Sequence, residues 1–100
     1  SNTAARTLLG TIYYAEKNYG GAAKELKIAI QLGAEDPNTL MLLAQSLLKK
    51  GDLNAVIEEI QVPDGASKSF TARILAVRAQ ALVMIGQADK AEAMFREART

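Results

Sequence analysis

The residues able to do acid, base, nucleophile or metal chemistry are few in this chain and poorly grouped. Its 100 residues include neither histidine nor cysteine. That removes imidazole bases, thiolate nucleophiles, disulfides and the commonest zinc and iron ligand sets. Glu58 and Glu59 are adjacent carboxylates, but neighbours on a helix do not face each other, so the pair reads as a solvated face and not an acid–base couple. Lys49 and Lys50 read as cations at a helix C-terminus, where the macrodipole favours them. Gly20-Gly21 lacks the Gly-Lys-Ser ending of a phosphate loop and falls at a helix start where small residues pack, while Gly10 reads as an interior packing glycine. The expectation is no catalytic residue, no cofactor and no metal, so function is sought in surfaces.

Charge and size narrow the surfaces that matter. Lysine and arginine number 12 against 11 acids, a net +1, too weak a field to make nucleic acid or an anionic membrane the main partner. The longest apolar stretches, such as Leu40 to Leu43 and Ile74 to Val77, are far short of a membrane span, so direct insertion is not expected. With 49% hydrophobic residues the chain has material for one compact unit with a continuous core. Lack of cysteine suits cytosol and periplasm alike. The chain opens Ser1-Asn2-Thr3 without an initiator methionine and closes inside an apparent helix at Arg99-Thr100. This pattern suggests a piece of a longer repeat array, with Ser1 and Asn2 a cloning remnant.

The elements that must position any surface are helices. Apolar residues recur at spacings of three and four, as in Leu8, Leu9, Ile12 and Tyr13, then Leu26, Ile28, Ala29, Ile30 and Leu32, whereas strand-like alternation is missing. Breaks fall at 18–21, 33–37, 51–52, 63–65 and 86–87, where Gly, Pro, Asn and Asp collect. Six helices follow, at roughly 3–16, 19–32, 37–49, 53–61, 69–85 and 88–99. Asp36 before Pro37 is the sharpest boundary, the aspartate capping free amides and the proline supplying a first-turn φ.

Paired as hairpins, the helices repeat. Gly10, Ala44 and Ala79 coincide, as do Tyr13, Leu47 and Leu82, then Lys17, Gly51 and Gly86 in the turn. Tyr19, Leu53 and Ala88 follow, and then Ala22, Val56 and Ala91. The period is 34 to 35 residues, a helical-hairpin length. Two helices cross closely only where side chains are small, so Gly10, Ala44 and Ala79 are expected to admit Ala22, Val56 and Ala91 of their partner helices.

This pattern resembles the tetratricopeptide repeat family over nearly the whole chain. Repeat one carries Leu9-Gly10, Tyr13, Tyr19, Ala22, Leu26 and Ala29; repeat three carries Ala79, Leu82, Gly86, Ala91, Phe95 and Ala98. Repeat two keeps Ala44, Leu47, Gly51-Asp52 and Leu53, but has Val56 for the usual alanine and is cut early by Pro63-Asp64-Gly65. The family tryptophan is replaced by Arg6, Leu40 and Leu75, and the closing proline is displaced to Pro37. The resemblance implies an all-α chain, a right-handed superhelix of three antiparallel hairpins forming a single TPR-like domain over 1–100, with repeats at about 3–36, 37–71 and 72–100.

It also implies a non-catalytic interaction or scaffolding module that binds a peptide or protein segment in a concave groove lined by the first helix of each repeat. The groove positions are Thr7, Thr11 and Tyr14; Asn38, Met41, Gln45, Leu48 and Lys49; and Arg73, Ala76, Gln80, Val83 and Met84. Met41, Leu48 and Met84 equally suit buried packing. Gln45 and Gln80 hold one position in successive repeats, where paired amides would grip an extended backbone or simply be solvated. Family members that clamp a chaperone's C-terminal carboxylate need Lys, Asn and Asn where this chain has Thr7, Thr11 and Leu42, with Arg73 and Lys49 the nearby cations. Such a ligand is therefore not expected.

Three phrases, Ala5-Arg6-Thr7-Leu8-Leu9-Gly10, Ala23-Lys24-Glu25-Leu26 and Leu32-Gly33-Ala34, resemble bacterial tetratricopeptide proteins of exopolysaccharide and exosortase (PEP-CTERM) systems. That resemblance implies a periplasmic or envelope-associated scaffold; the alternative is a cytoplasmic adaptor or regulator.

Overall fold

The computed structural model describes residues 2–86 and 88–99; the side chains of Ala88, Asp89 and Ala91 lie outside the described residues. The described residues form α1 Asn2–Ala15, α2 Tyr19–Gln31, α3 Pro37–Lys50, α4 Leu53–Glu59, α5 Lys68–Met84 and α6 Ala88–Ala98. They include no strand, and the helix ends differ from the sequence-derived ones by at most two residues. None of the described helices is long and apolar enough to cross a membrane.

Local chemistry accounts for the boundaries. Asp36, extended at φ −62° and ψ 120°, precedes Pro37 at the start of α3, and its carboxylate accepts the Asn38 amide at 2.9 Å. Asn18 caps α2 by accepting from Gly21 N at 3.0 Å, and Ser67 caps α5 by accepting from Phe70 N at 3.0 Å. Each supplies an acceptor to an amide that a first turn leaves unpaired. The three aligned turn residues Lys17, Gly51 and Gly86 all have left-handed backbone, with φ of 63°, 87° and 81°. After α1, Lys17 N donates to Tyr14 O at 3.0 Å and Asn18 N to Tyr13 O at 2.8 Å, the paired closure that lets a helix end abruptly. Glycine enters that conformation freely, but a lysine does so at a cost of about 1–2 kcal/mol.

The helices gather into two compact units, residues 1–51 and 52–100. In the first, α1 and α2 form a hairpin and α3 packs on α2, with a smaller contact to α1. Its core includes Ala22, Leu26 and Ala29, all fully buried. Gly10 sits where α1 meets α2: a methyl there would lie 2.6 Å from Leu26 Cγ and 3.4 Å from Ala22 O. Small-residue packing at this crossing is thus confirmed, with Leu26 as the nearest side chain and Ala22 contributing its backbone. The counterpart Ala79 is fully buried, while Ala91, expected opposite it, lies outside the described side chains. Gly21 is also confined, since a methyl would meet the Asn18 side chain at 2.8 Å and Tyr13 Cδ2 at 3.0 Å. Gly20 is not: nothing lies within 4 Å of its would-be Cβ, which corrects the expectation that both glycines pack.

In the second unit, α4 and α6 each pack against α5. Buried residues therefore run round α5: Phe70, Ile74, Leu75, Val77, Ala79, Ala81 and Leu82, as expected of a helix covered on more than one side. α4 has only seven residues, two fewer than the periodicity allows, because the chain must leave helical geometry before Pro63. In the link, Ala66 N donates to Pro63 O at 3.2 Å and Gly65 takes φ 75°. Ile60 and Ile74 are fully buried and Phe70 nearly so. Ile57, Ile85 and Met94 pack against Ala79 and Leu82.

The shortened α4 leaves carbonyls that no further helical turn satisfies. Arg78 answers this from α5: one terminal nitrogen donates to Ile57 O at 3.1 Å and the other to Gln61 Oε1 at 3.0 Å. Gln61 in turn donates to Ile57 O at 3.3 Å and Glu58 O at 3.2 Å. Arg78 stands where the other repeats have Leu9 and Leu43. Repeat three thus gives up an aliphatic residue and gains a cap for the broken helix before it.

Candidate functional site

α1 and α3 bring two of the expected groove residues together through a third residue. Tyr14, in the last turn of α1, meets Tyr19 at the start of α2 edge to face, with ring centroids 5.5 Å apart and planes at 69°. The Lys49 ammonium, near the end of α3, lies 5.9 Å from the centroid of the Tyr19 ring. Edge-to-face rings align a positive edge with a negative face, and an ammonium is likewise drawn to an electron-rich ring, worth about 0.5–1 kcal/mol where exposed. The result is a half-buried aromatic pair with an exposed cation beside it, a surface chemically suited to an acidic or aromatic side chain. In the repeat alignment Tyr19 simply follows the inter-helix turn. Its surface role depends on α3 returning to α2, and no spacing within one helix reveals that.

Other groove positions of the first unit are committed elsewhere. Thr7 is half-buried, and its carbonyl accepts the Thr11 hydroxyl at 2.8 Å, so Thr11, although exposed, spends its hydroxyl proton within its own helix. Asn38 is exposed at the start of α3 with its amide held by Asp36. Met41 and Leu48 are only 6% and 7% exposed; of the two roles open to them from the sequence, they take packing. Gln45 is half-buried with its amide nitrogen 4.0 Å from Met41 Sδ.

α5 carries the remaining positions on one stripe. Arg73, Ala76, Gln80, Val83 and Met84 follow at helical spacing. Arg73 and Gln80 are exposed, Ala76 is half-buried, and Val83 and Met84 are 50% and 55% exposed. Met84, ambiguous in the sequence, is therefore on the surface. Gln80 is exposed where Gln45 is half-buried, so the two amides at matching repeat positions do not stand in matching surroundings.

One ion pair went unforeseen. Glu25 is 5% exposed and its carboxylate accepts from Arg6 Nη1 at 2.6 Å, tying α1 to α2. The signal available was Arg6 at an alignment position held by Leu40 and Leu75, since an ionised group at an apolar repeat position requires a partner. The pair ties the two helices of the hairpin together. Among the described residues no three acidic side chains gather where a metal ion could bind.

Residues 12–98 match the family model described as anaphase-promoting complex, cyclosome, subunit 3, a family of tetratricopeptide-like repeats. Families of this repeat type are in general non-catalytic modules for protein interaction. No match was found among curated proteins or among solved structures. With a helical repeat pattern, a helical structure and a family match over most of its length, the chain belongs to the anaphase-promoting complex, cyclosome, subunit 3 family of tetratricopeptide-like repeat proteins.

Proposed function

We propose that the chain is a non-enzymatic scaffolding module that binds a protein or peptide segment through the outward residues of α1, α3 and α5. The observation that carries this reading is the α5 stripe, where Val83 and Met84 are half exposed beside the exposed Arg73 and Gln80. Exposed aliphatic and sulfur-containing side chains beside cationic and amide groups are the composition of a protein-contacting surface. Tyr14, Tyr19 and Lys49 form a second contact of similar character. The family takes its name from a subunit of a multiprotein complex, which supports assembly with other proteins as the role.

The test is affinity capture with the full chain and with two surface variants, Arg73→Glu with Met84→Glu, and Tyr14→Ala with Lys49→Glu. The expected result is loss of the captured protein, with a urea midpoint unchanged in the first variant and lowered in the second only by the lost ring and ammonium contacts. Capture that survives both variants would reject these faces as the binding surface.

The finer setting, an envelope scaffold handling polysaccharide or sorted proteins, is supported by the three phrases at 5–10, 23–26 and 32–34. An export signal in the gene encoding the chain separates it from the cytoplasmic adaptor.

A further inference from the structure

The second unit holds a cleft that none of the surfaces described so far uses. α4 and α6 each pack on α5, and among the described residues they do not pack on each other. The space left between them is a partly open cleft of about 280 Å³. Its floor is apolar: Ile57 of α4, Leu82 in the last turn of α5, Ile85 just after it, and Met94 of α6. Leu82 is 4% exposed, and the other three are half-buried against it and Ala79. The rim is polar. Asn54 and Glu58 stand one turn apart on the α4 side, and Lys90 stands one turn before Met94 on the α6 side, all three exposed.

Size and rim narrow what fits. Pockets for drug-sized ligands begin at about 300 Å³, so this cleft suits one leucine- or phenylalanine-sized group and is too small for a nucleotide or an oligosaccharide. Among the described residues the floor presents no polar side chain, so the inserted part is hydrocarbon, and the unbranched Met94 adapts to an aliphatic or an aromatic shape. The two walls carry opposite charges. A fatty acid or a phosphate would answer Lys90 but meet Glu58 as a like charge, and an alkylamine would do the reverse. Neither the Glu58 carboxylate nor the Lys90 ammonium joins an ion pair among the described residues, so both charges are open to an occupant. Lys90 also lies in the first turn of α6, where the macrodipole favours an anion. The ligand that answers both walls is a zwitterion with an apolar tail.

We infer that the cleft between α4 and α6 binds a free α-amino acid with a branched aliphatic or aromatic side chain. The side chain fills the floor over Leu82, the α-ammonium donates to the Glu58 carboxylate, and the Lys90 ammonium donates to the α-carboxylate. A residue within or at either end of a peptide lacks at least one of these charges, which favours the free amino acid over a partner's chain. The site goes beyond the proposed protein-binding role: α4 and α6 supply its walls, whereas the proposed contacts lie on the Arg73–Met84 stripe of α5 and the Tyr14–Tyr19–Lys49 cluster of the first unit. Failed protein capture there leaves this site standing.

The full chain, isotopically labelled at isoleucine and methionine methyl groups, is titrated with L-leucine and with L-phenylalanine and followed by NMR. The expected result is saturable shifts at Ile57, Ile85 and Met94, with Ile12 and Met41 of the first unit unmoved. N-acetyl-L-leucine and L-leucinamide, each short of one charge, should bind about three- to five-fold more weakly, the loss of one exposed ion pair. Glu58→Gln should weaken leucine by the same factor and erase the preference for leucine over N-acetyl-L-leucine; Lys90→Gln should erase the preference over leucinamide. Both side chains are exposed, so neither variant should change the urea midpoint. No saturable shift at the three methyl-bearing residues overturns the inference. N-acetyl-L-leucine binding the parent as well as leucine does would overturn the choice of ligand and assign the cleft to the C-terminus of a partner protein.

Discussion

Replacing Gly10 by alanine sets two effects of known sign against each other. Alanine favours an interior helical position over glycine by about 0.5–1 kcal/mol. At Gly10 the added methyl would stand 2.6 Å from Leu26 Cγ and 2.8 Å from Cδ2, about 1 Å inside the optimal carbon–carbon separation. Leu26 is fully buried, so it cannot swing into solvent; it must leave its rotamer or α1 must move off α2. Overpacking of this kind costs about 1–3 kcal/mol, and two contacts this short place Gly10 in the upper part of that range. The net expectation is destabilisation by about 1–2 kcal/mol, a drop of about 0.5–1 M in urea midpoint for an m-value near 2 kcal/mol/M. Gly20→Ala is the internal reference: with nothing within 4 Å it should stabilise by about 0.5–1 kcal/mol. The chain's three tyrosines, Tyr13, Tyr14 and Tyr19, all lie in the first unit, so their fluorescence during urea unfolding reports on the unit being perturbed. Leu26→Ala alone should cost about 2–5 kcal/mol, and combined with Gly10→Ala it should cost at least about 1 kcal/mol less than the sum. A Gly10→Ala chain as stable as Gly20→Ala, or two changes additive within about 0.5 kcal/mol, would show that the helices do not touch there.

Lys17→Gly should stabilise the first unit by roughly 0.5–1 kcal/mol, because relief of the left-handed lysine outweighs the extra freedom of the unfolded chain; urea unfolding followed by tyrosine fluorescence reads it, and a lower midpoint counts against strain at that turn. Arg6→Leu leaves Glu25 buried without its cation and should cost about 1–3 kcal/mol, moderated by Arg6 being 44% exposed. Adding Glu25→Met, so that both positions carry the repeat-three residues Leu75 and Met94, should recover most of the loss, and no recovery would mean the charge is not the cause. Backbone amides from about 62 to 68 should exchange faster than those of Leu42 to Leu47, because the link has few helical hydrogen bonds to protect them. Equal protection in hydrogen exchange would contradict the break after α4.

What the sequence determined by itself was everything governed by local rules. Helical spacing, Asp36 before Pro37 and the glycines at turns placed six helices to within two residues, because caps and left-handed turns depend on residues a few positions apart. The repeat register followed from comparing the chain with itself. It correctly grouped Lys17, Gly51 and Gly86, whose shared backbone conformation the structure displays. Tertiary structure decided which apolar residues are core and which are surface. Met41, Leu48 and Met84 are equally apolar at equally helical positions, yet the first two are buried and the third is 55% exposed, because exposure depends on which helix lies alongside. The same holds for Tyr19, made part of a surface cluster by a lysine on α3. It holds also for Arg78, an arginine at a leucine position that makes sense only once its fork reaches the carbonyl of Ile57. Contacts between distant segments follow from packing against a particular neighbour, and one-dimensional periodicity does not name that neighbour.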